Sequence, residues 1–341
     1  MNTNSPLDLD AVDTYLAANL SGYRGPLKAH KFDIGQSNPT FALETPGRTY
    51  VLRRKPMGKL LKSAHAVERE FRVQQALAGS DVPVPEMFLL CEDTSVIGSA
   101  FYVMEHLEGR VFLEPTLTGE NNETRTAVMD EMNRVLAALH SVDIDAVGLA
   151  DYGPSGNYFE RQIARWTKQY RASETGKIAQ MDALITGLEE ALPEDDGQRT
   201  LVHGDYRIDN LMFERKGTRC IGVLDWELST IGHPYADLAA VIMQWQLPPG
   251  PEGRGLAGID RKTLGLPSDR DYIEQYCARR RLPEIKDFGF YLAFNFFRMA
   301  AILQGVYKRA LDGTASDPGR AKLFGDYVPL FAQHGLSALD A

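Results

Sequence analysis

The stretch from Leu201 to Glu227, LVHGDYRIDNLMFERKGTRCIGVLDWE, constrains this chain more than any other. Leu211 to Phe213 and Cys220 to Leu224 are short apolar runs separated by the turn-prone Lys216-Gly217-Thr218, which predicts a hairpin. Asn210 enters the first strand and Asp225 leaves the second. Antiparallel partners lie about 5 Å apart, so the two open ends of such a hairpin carry Asn210 and Asp225 to one place. Asp205 precedes them on the tight loop His203-Gly204-Asp205.

An Asp, an Asn shortly after it and a second Asp beyond a short strand are the residue types that phosphoryl transfer from a nucleotide requires. The reaction needs an acceptor hydroxyl in line with the γ-phosphorus, and a carboxylate beside that hydroxyl is the usual positioning group. Asp205 is the candidate for that catalytic role. Asn210, through its amide oxygen, and Asp225 are candidates to hold Mg2+, a hard cation that prefers oxygen. Glu227 is either a further carboxylate of this site or a solvated acid.

The rest of the chain is arranged around this segment. Residues 1 to about 25 read as a helical lead-in, and residues 28 to 54 as hairpin strands. Ala66 to Leu77 has helical periodicity and is stopped by Val82-Pro83-Val84-Pro85. Phe88 to Cys91 and Ala100 to Glu105 read as strands. Helical patterns then dominate, over about 123–141, 159–170, 179–192, 235–246, 269–280, 286–310 and 321–331. A β-rich first third followed by a helix-rich remainder predicts an α+β, bilobed architecture. It has a small β-rich N-lobe over 1–105, which binds the nucleotide phosphates. A larger helical C-lobe over 106–341 carries the catalytic loop and the acceptor site.

The first third supplies candidates for the nucleotide. In Ile34-Gly35-Gln36-Ser37-Asn38-Pro39-Thr40, Gly35 permits close backbone approach, and Ser37, Asn38 and Thr40 offer donors to phosphate oxygens. A plain hairpin turn accounts for the same residues. Arg53, at the end of a strand, is the candidate cation for the α- and β-phosphates, with Lys55 as its rival on the same strand face. Glu70, on the following helix, is the candidate to anchor that cation, with Glu68 as alternative. Phe101 to Gly109 reads as a strand running into a linker, where the Glu105 carbonyl and the Leu107 amide are placed to meet an adenine edge. Asp237, at the start of a helix, is expected to cap it and to bond the catalytic loop.

Composition narrows the classes. A net charge of −9 argues against a duplex nucleic-acid binder, which needs a basic face. Three separated cysteines without a Cys-x-x-Cys pair suit a reducing compartment and suggest no zinc site. No signal peptide or membrane-length apolar run is visible, so a cytoplasmic protein is expected.

Taken together, these segments resemble the aminoglycoside phosphotransferase/choline kinase-like superfamily, within the wider protein-kinase-like fold. The narrower likeness is to the phosphotransferase domain associated with acyl-CoA dehydrogenases. It rests on Tyr50-Val51-Leu52-Arg53-Arg54-Lys55-Pro56 with Gly58-Lys59-Leu60-Leu61, on Asp225-Trp226-Glu227-Leu228-Ser229-Thr230-Ile231-Gly232, and on Phe296 to Tyr307. The resemblance implies ATP and Mg2+ as cofactors, Asp205 as catalytic acid/base, Asn210 and Asp225 on the metal, and Arg53 and Glu70 in the cation and helix-Glu slots. It implies a small-molecule hydroxyl acceptor, a hydroxyacyl-CoA or hydroxy acid, and functional association with an acyl-CoA dehydrogenase. Arg298, on an apolar helix, either meets such an anion or pairs with a core-edge carboxylate. Arg279-Arg280-Arg281 either contacts CoA phosphates or forms a solvated helix end. An aminoglycoside kinase and a nucleotide-binding pseudokinase or scaffold are the alternative readings. Gly204, Trp226 and Glu227 depart from the Arg and Phe-Gly that protein kinases carry there, and no Ala-Pro-Glu segment is present, which speaks against a protein kinase.

Overall fold

Alternating burial in Thr40–Glu44 (β2), where Phe41 and Leu43 point inward, marks a strand with one face on a core. In the computed structural model, which describes residues 7–32, 38–57, 65–250, 253–315 and 317–340, β2 is an inner strand of an antiparallel sheet. That sheet has the order β1-β2-β3-β5-β4, with β1 Lys28–Lys31, β3 Thr49–Arg54, β4 Met87–Cys91 and β5 Phe101–Glu105. Val12 and Leu16 of the leading helix α1 (Leu9–Asn19) close its core with Leu43, Leu52 and Val103.

Contacts between residues divide the chain into two compact units. The first comprises residues 1–112, 143–149 and 208–229, and the second comprises 113–142, 150–207 and 230–341. The hairpin over 208–229 thus groups with the first unit, where a single boundary near residue 105 is expected from sequence. The reason is backbone pairing. Gly109–Val111 (β6) pairs with Leu211–Glu214 (β8), which pairs with Cys220–Val223 (β9), and Val223 N–H donates to the Pro83 carbonyl at 2.8 Å. Gly109 is required where β6 crosses β8, because a Cβ there would lie 2.5 Å from the Phe213 carbonyl oxygen. The helix α2 (Val67–Ala76) also belongs to this unit and buries Val67, Glu70, Phe71, Val73 and Gln74.

The second unit is mainly helical: α3 Asn122–Leu139, α4 Tyr158–Ser173, α5 Ala179–Glu190, α6 Tyr235–Trp245, α7 Asp269–Arg280, α8 Phe288–Leu311 and α9 Pro318–Leu339. Phe159 of α4 packs its ring against Phe290 and Phe294 of α8 at 5.4 and 5.2 Å between centroids. Helix α9 runs well beyond the 321–331 of the sequence reading and carries Pro329 inside it. Its buried Ala321, Val328, Ala332, Gly335 and Ala338 show that tertiary packing overrides the local cost of the proline. A two-stranded ladder, Thr200–Val202 (β7) with Thr230–Gly232 (β10), was not foreseen, because strands of three residues carry too little periodicity. Among the described residues no helix is long and apolar enough to cross a membrane.

Candidate active site

The first unit gathers a cation and several carboxylates around Arg53. Its Nε lies 2.8 Å from Glu70 Oε2, its Nη2 lies 2.9 Å from Asp225 Oδ1, and Glu227 Oε2 stands 3.9 Å away. Of the two rivals named from sequence, Arg53 therefore takes Glu70, whereas Lys55 pairs with Glu68 at 2.7 Å. Glu70 is buried and also accepts from Asn38 Nδ2 at 2.6 Å and from the Tyr102 hydroxyl at 3.1 Å. Burial works against the Arg53 charge, but Glu70, with Tyr102, Asp225 and Glu227, outweighs it and lifts the guanidinium above its ordinary range. Burial pushes Glu70 up, while Arg53, Tyr102 and Asn38 pull it back.

Four of the other nucleotide candidates are described. The Asn38 side chain is engaged twice, donating to Glu70 and pairing its Oδ1 with His65 Nδ1 at 3.0 Å. The Thr40 hydroxyl donates to the Asn38 carbonyl at 3.0 Å and accepts from Arg53 Nη1 at 3.4 Å. Glu105 ends β5, with its N–H on the Glu86 carbonyl at 2.8 Å. Leu107 lies in the linker to β6, its side chain against Gly222, where an added Cβ would meet Leu107 Cδ1 at 2.4 Å. Gly35 and Ser37 lie outside the described residues.

The hairpin sets Asn210 and Asp225 together. Leu211 pairs with Val223, and Leu224 N–H donates to the Asn210 carbonyl at 2.8 Å. Asp225 then takes a left-handed conformation, φ 63°, which an Asp tolerates better than most residues. Buried Trp226 pins the turn by donating from Nε1 to the Val223 carbonyl at 2.9 Å. The turn projects the Asp225 carboxylate toward the Arg53 guanidinium.

In the second unit, Asp205 sits on a loop held from beneath. The N–H groups of His203 and Gly204 donate to Asp237 at 2.6 and 2.8 Å. His140 Nε2 lies 3.4 Å from the same carboxylate, and its Nδ1 lies 2.7 Å from the Tyr276 hydroxyl. Burial pushes the Asp237 carboxyl up, but the His140 contact and the Gly204 N–H outweigh it and hold it below its ordinary range. Asp237 does not cap its helix as expected from sequence. The cap position of α6 is Pro234, and Asp237, one turn inside, bonds the His203–Asp205 loop, as expected from sequence, and also His140. An acid within the apolar Tyr235–Trp245 run was the legible sign of such a partner.

Arg298 Nη2 donates to the Gly204 carbonyl at 2.8 Å, so a backbone oxygen stands where one of the two sequence readings put a core-edge carboxylate. Arg279 bonds Asn133 and Asp130, each at 2.6 Å, and so ties α7 to α3. Asp205 itself has Arg207 Nε 3.3 Å from its Oδ1.

A sequence profile described as the phosphotransferase enzyme family matches residues 28–272. Acyl-CoA dehydrogenase family member 10 of Mus musculus is 48% identical over 309 residues, which is 90% of this chain and 29% of that protein. The chain thus spans under a third of that relative's length. A Ralstonia eutropha protein described as an aminoglycoside phosphotransferase superposes with a TM-score of 0.91 at 49% identity, covering 98% of this chain and 99% of that one. A thermostable mutant of aminoglycoside phosphotransferase APH(4)-Ia, solved with ADP and hygromycin B, shares the fold at a TM-score of 0.59 and 18% identity, over 94% of this chain and 98% of its own. The His203–Asp205 loop, the hairpin and the Arg53 cluster all fall within the matched residues, and the chain belongs to the phosphotransferase enzyme family, whose members pass a phosphoryl group to an alcohol.

Proposed function

We propose that this chain is an ATP- and Mg2+-dependent kinase of a small hydroxylated anion, a hydroxyacyl-CoA or a hydroxy acid. The observation that carries the reading is the meeting of Arg53, Glu70 and Asp225 in one unit. The donor set fits the cofactors. Asn210 and Asp225 offer oxygen, the ligand that Mg2+ prefers, and the Asp225 carboxylate already has a cationic group against it. Bound Mg2+ would neutralise charge on the nucleotide phosphates during transfer.

The residues divide the work. Arg53, steadied by Glu70, contacts the α- and β-phosphates. Asn38 and Thr40 act through that pair, since both bond to it. Gly35 and Ser37 cover the phosphates, and the backbone at Glu105 and Leu107 meets the adenine. Asp205 orients the acceptor hydroxyl and takes its proton as the oxygen attacks. In this reading the segment to residue 105, joined by Leu107, Asn210 and Asp225, serves the nucleotide, and the remainder of the part from 106 serves the acceptor and the catalytic loop. The acyl-CoA dehydrogenase relatives support this acceptor class and functional association with such an enzyme, and the location in this reading is cytoplasmic.

The test is incubation with Mg-ATP and a panel of hydroxyacyl-CoAs, free hydroxy acids and aminoglycosides, with products read by mass. A phosphorylated hydroxyacyl-CoA or hydroxy acid that disappears with Asp205→Asn, while ATP still binds, supports the reading. Phosphorylation of aminoglycosides alone, or full activity in Asp205→Asn, overturns it.

A further inference from the structure

Three arginines of the second unit converge beside the catalytic loop. Arg161 and Arg165 stand one turn apart on α4, and Arg298 lies on α8. The Arg165 and Arg298 guanidinium carbons lie 5.5 and 5.9 Å from the centre of the same Trp166 ring. The buried Tyr158 phenol feels all three, and the Asp237 carboxylate as well: burial and Asp237 push its pKa up, and Arg298, Arg161 and Arg165 pull against that. Arg161 binds the carbonyls of Ser155, at 2.7 Å, and Gly156. Among the described residues none of the three forms an ion pair with a carboxylate.

Such a gathering is costly without an anion, since like charges repel and water screens them only in part. It stands out in a chain whose net charge is −9. The indole stabilises the two guanidiniums through its face but does not neutralise them. Arg298 uses one N–H on the Gly204 carbonyl, and a guanidinium has five, so most of its planar fork is left for another acceptor. Gly204 directly precedes Asp205, so Arg298 is bonded to the backbone one residue from the proposed catalytic carboxylate.

We infer that Arg165 and Arg298, assisted by Arg161 and set by Trp166, form a specificity site for an anionic group carried by the acceptor. This rests on the reading of Asp205 as the residue that orients the acceptor hydroxyl. The ligand chemistry is a carboxylate or a phosphate, either of which fits a guanidinium fork bidentately. A polycationic acceptor is repelled by the same charges, so the site separates the two acceptor classes of this fold on electrostatic grounds.

The experiment is calorimetry on the full chain saturated with Mg-AMP-PNP, with a short hydroxyacyl-CoA, the matching free hydroxy acid and its neutral methyl ester as probes. Steady-state phosphorylation of the same three is measured alongside. Arg165→Gln is expected to weaken binding of the anionic probe, and to lower its kcat/KM, by about 10- to 100-fold, the range for charged hydrogen bonds. Arg298→Gln is expected to do the same, the methyl ester to be unaffected by Arg165→Gln, and Arg165→Lys to recover part of the loss. Preference for the free acid identifies a carboxylate as the anion, and preference for the thioester identifies the CoA phosphates. Anionic probes that bind wild type and Arg165→Gln equally, or an ester that loses the same factor, overturn the inference. If the anionic probes bind in an Arg165-dependent way but none is phosphorylated, the acceptor assignment fails and the anion site stands.

Discussion

Arg53 and Asp225, 172 residues apart in sequence, meet at 2.9 Å, so the proposed phosphate-binding cation and the proposed metal carboxylate are each other's counter-ion. The same guanidinium forms an ion pair with buried Glu70, its Nε 2.8 Å from Oε2. Truncation to Arg53→Ala leaves Glu70 buried and unpaired, which should lower the unfolding free energy by about 3–5 kcal/mol in urea titrations. Pairing it with Glu70→Gln should recover much of that loss. Arg53→Lys keeps the charge but not the fork, because an ammonium is a point charge that reaches one carboxylate well. It is expected to raise the KM for ATP several-fold while losing much less stability than Arg53→Ala.

The hairpin that carries Asn210 and Asp225 depends on close backbone approach. A methyl at Gly109 meets the Phe213 carbonyl oxygen at 2.5 Å, which only a backbone shift relieves. At Gly222 the nearest obstacle is the Leu107 Cδ1 methyl, the mobile end of a side chain. Gly109→Ala should therefore cost about 1–3 kcal/mol, the usual scale of overpacking, and Gly222→Ala clearly less. Equal losses in thermal or urea unfolding would count against this account of the crossing.

How much of this was readable in advance depends on the range of the interaction. The hairpin was legible because its two apolar runs and its Lys216-Gly217-Thr218 turn are contiguous. The choice between Glu70 and Glu68 was not, since helical periodicity leaves open which acid faces the sheet, and only the position of Arg53 on β3 decides it. Asp237 looked like a cap because it stands near a helix start; that Pro234 holds the cap position frees its carboxylate for the loop. The pairing of Trp166 with Arg298 joins α4 to α8 over a long separation in sequence, and no local pattern announces it. Strands β6, β7 and β10 exist only through their partners.

Stability should depend on pH through the buried histidines. Burial lowers the pKa of His140, which faces Asp237, Tyr276 and Arg280, and burial likewise lowers that of His233, beside Asp196. Each is neutral in the folded chain and takes up a proton on unfolding once the pH is below about 6.5, the ordinary histidine value. The unfolded state then binds more protons, so stability rises with pH. It is fully present above about 6.5 and is lost as the pH falls toward the lowered folded values, by at most about 1.4 kcal/mol per pH unit for each histidine. Urea unfolding at pH 7.5 and 5.5, values set about one unit either side of that point, should show the loss, and His140→Gln should flatten it without abolishing it. An unchanged slope in His140→Gln would assign the effect elsewhere.

Asp237→Asn separates holding the loop from carrying charge. The native carboxylate accepts from two backbone N–H groups, His203 and Gly204, and from His140. An amide has one oxygen to accept with and an NH2 that must face one of those donors, so a buried donor loses its acceptor. That should cost about 1–3 kcal/mol of stability. Since the displaced loop carries Asp205, the loss of activity should appear in kcat for the acceptor, with the KM for ATP nearly unchanged, because the Arg53 cluster shares no residue with it. A variant that loses stability but keeps kcat would show that Asp237 holds the fold of the second unit without setting the position of Asp205.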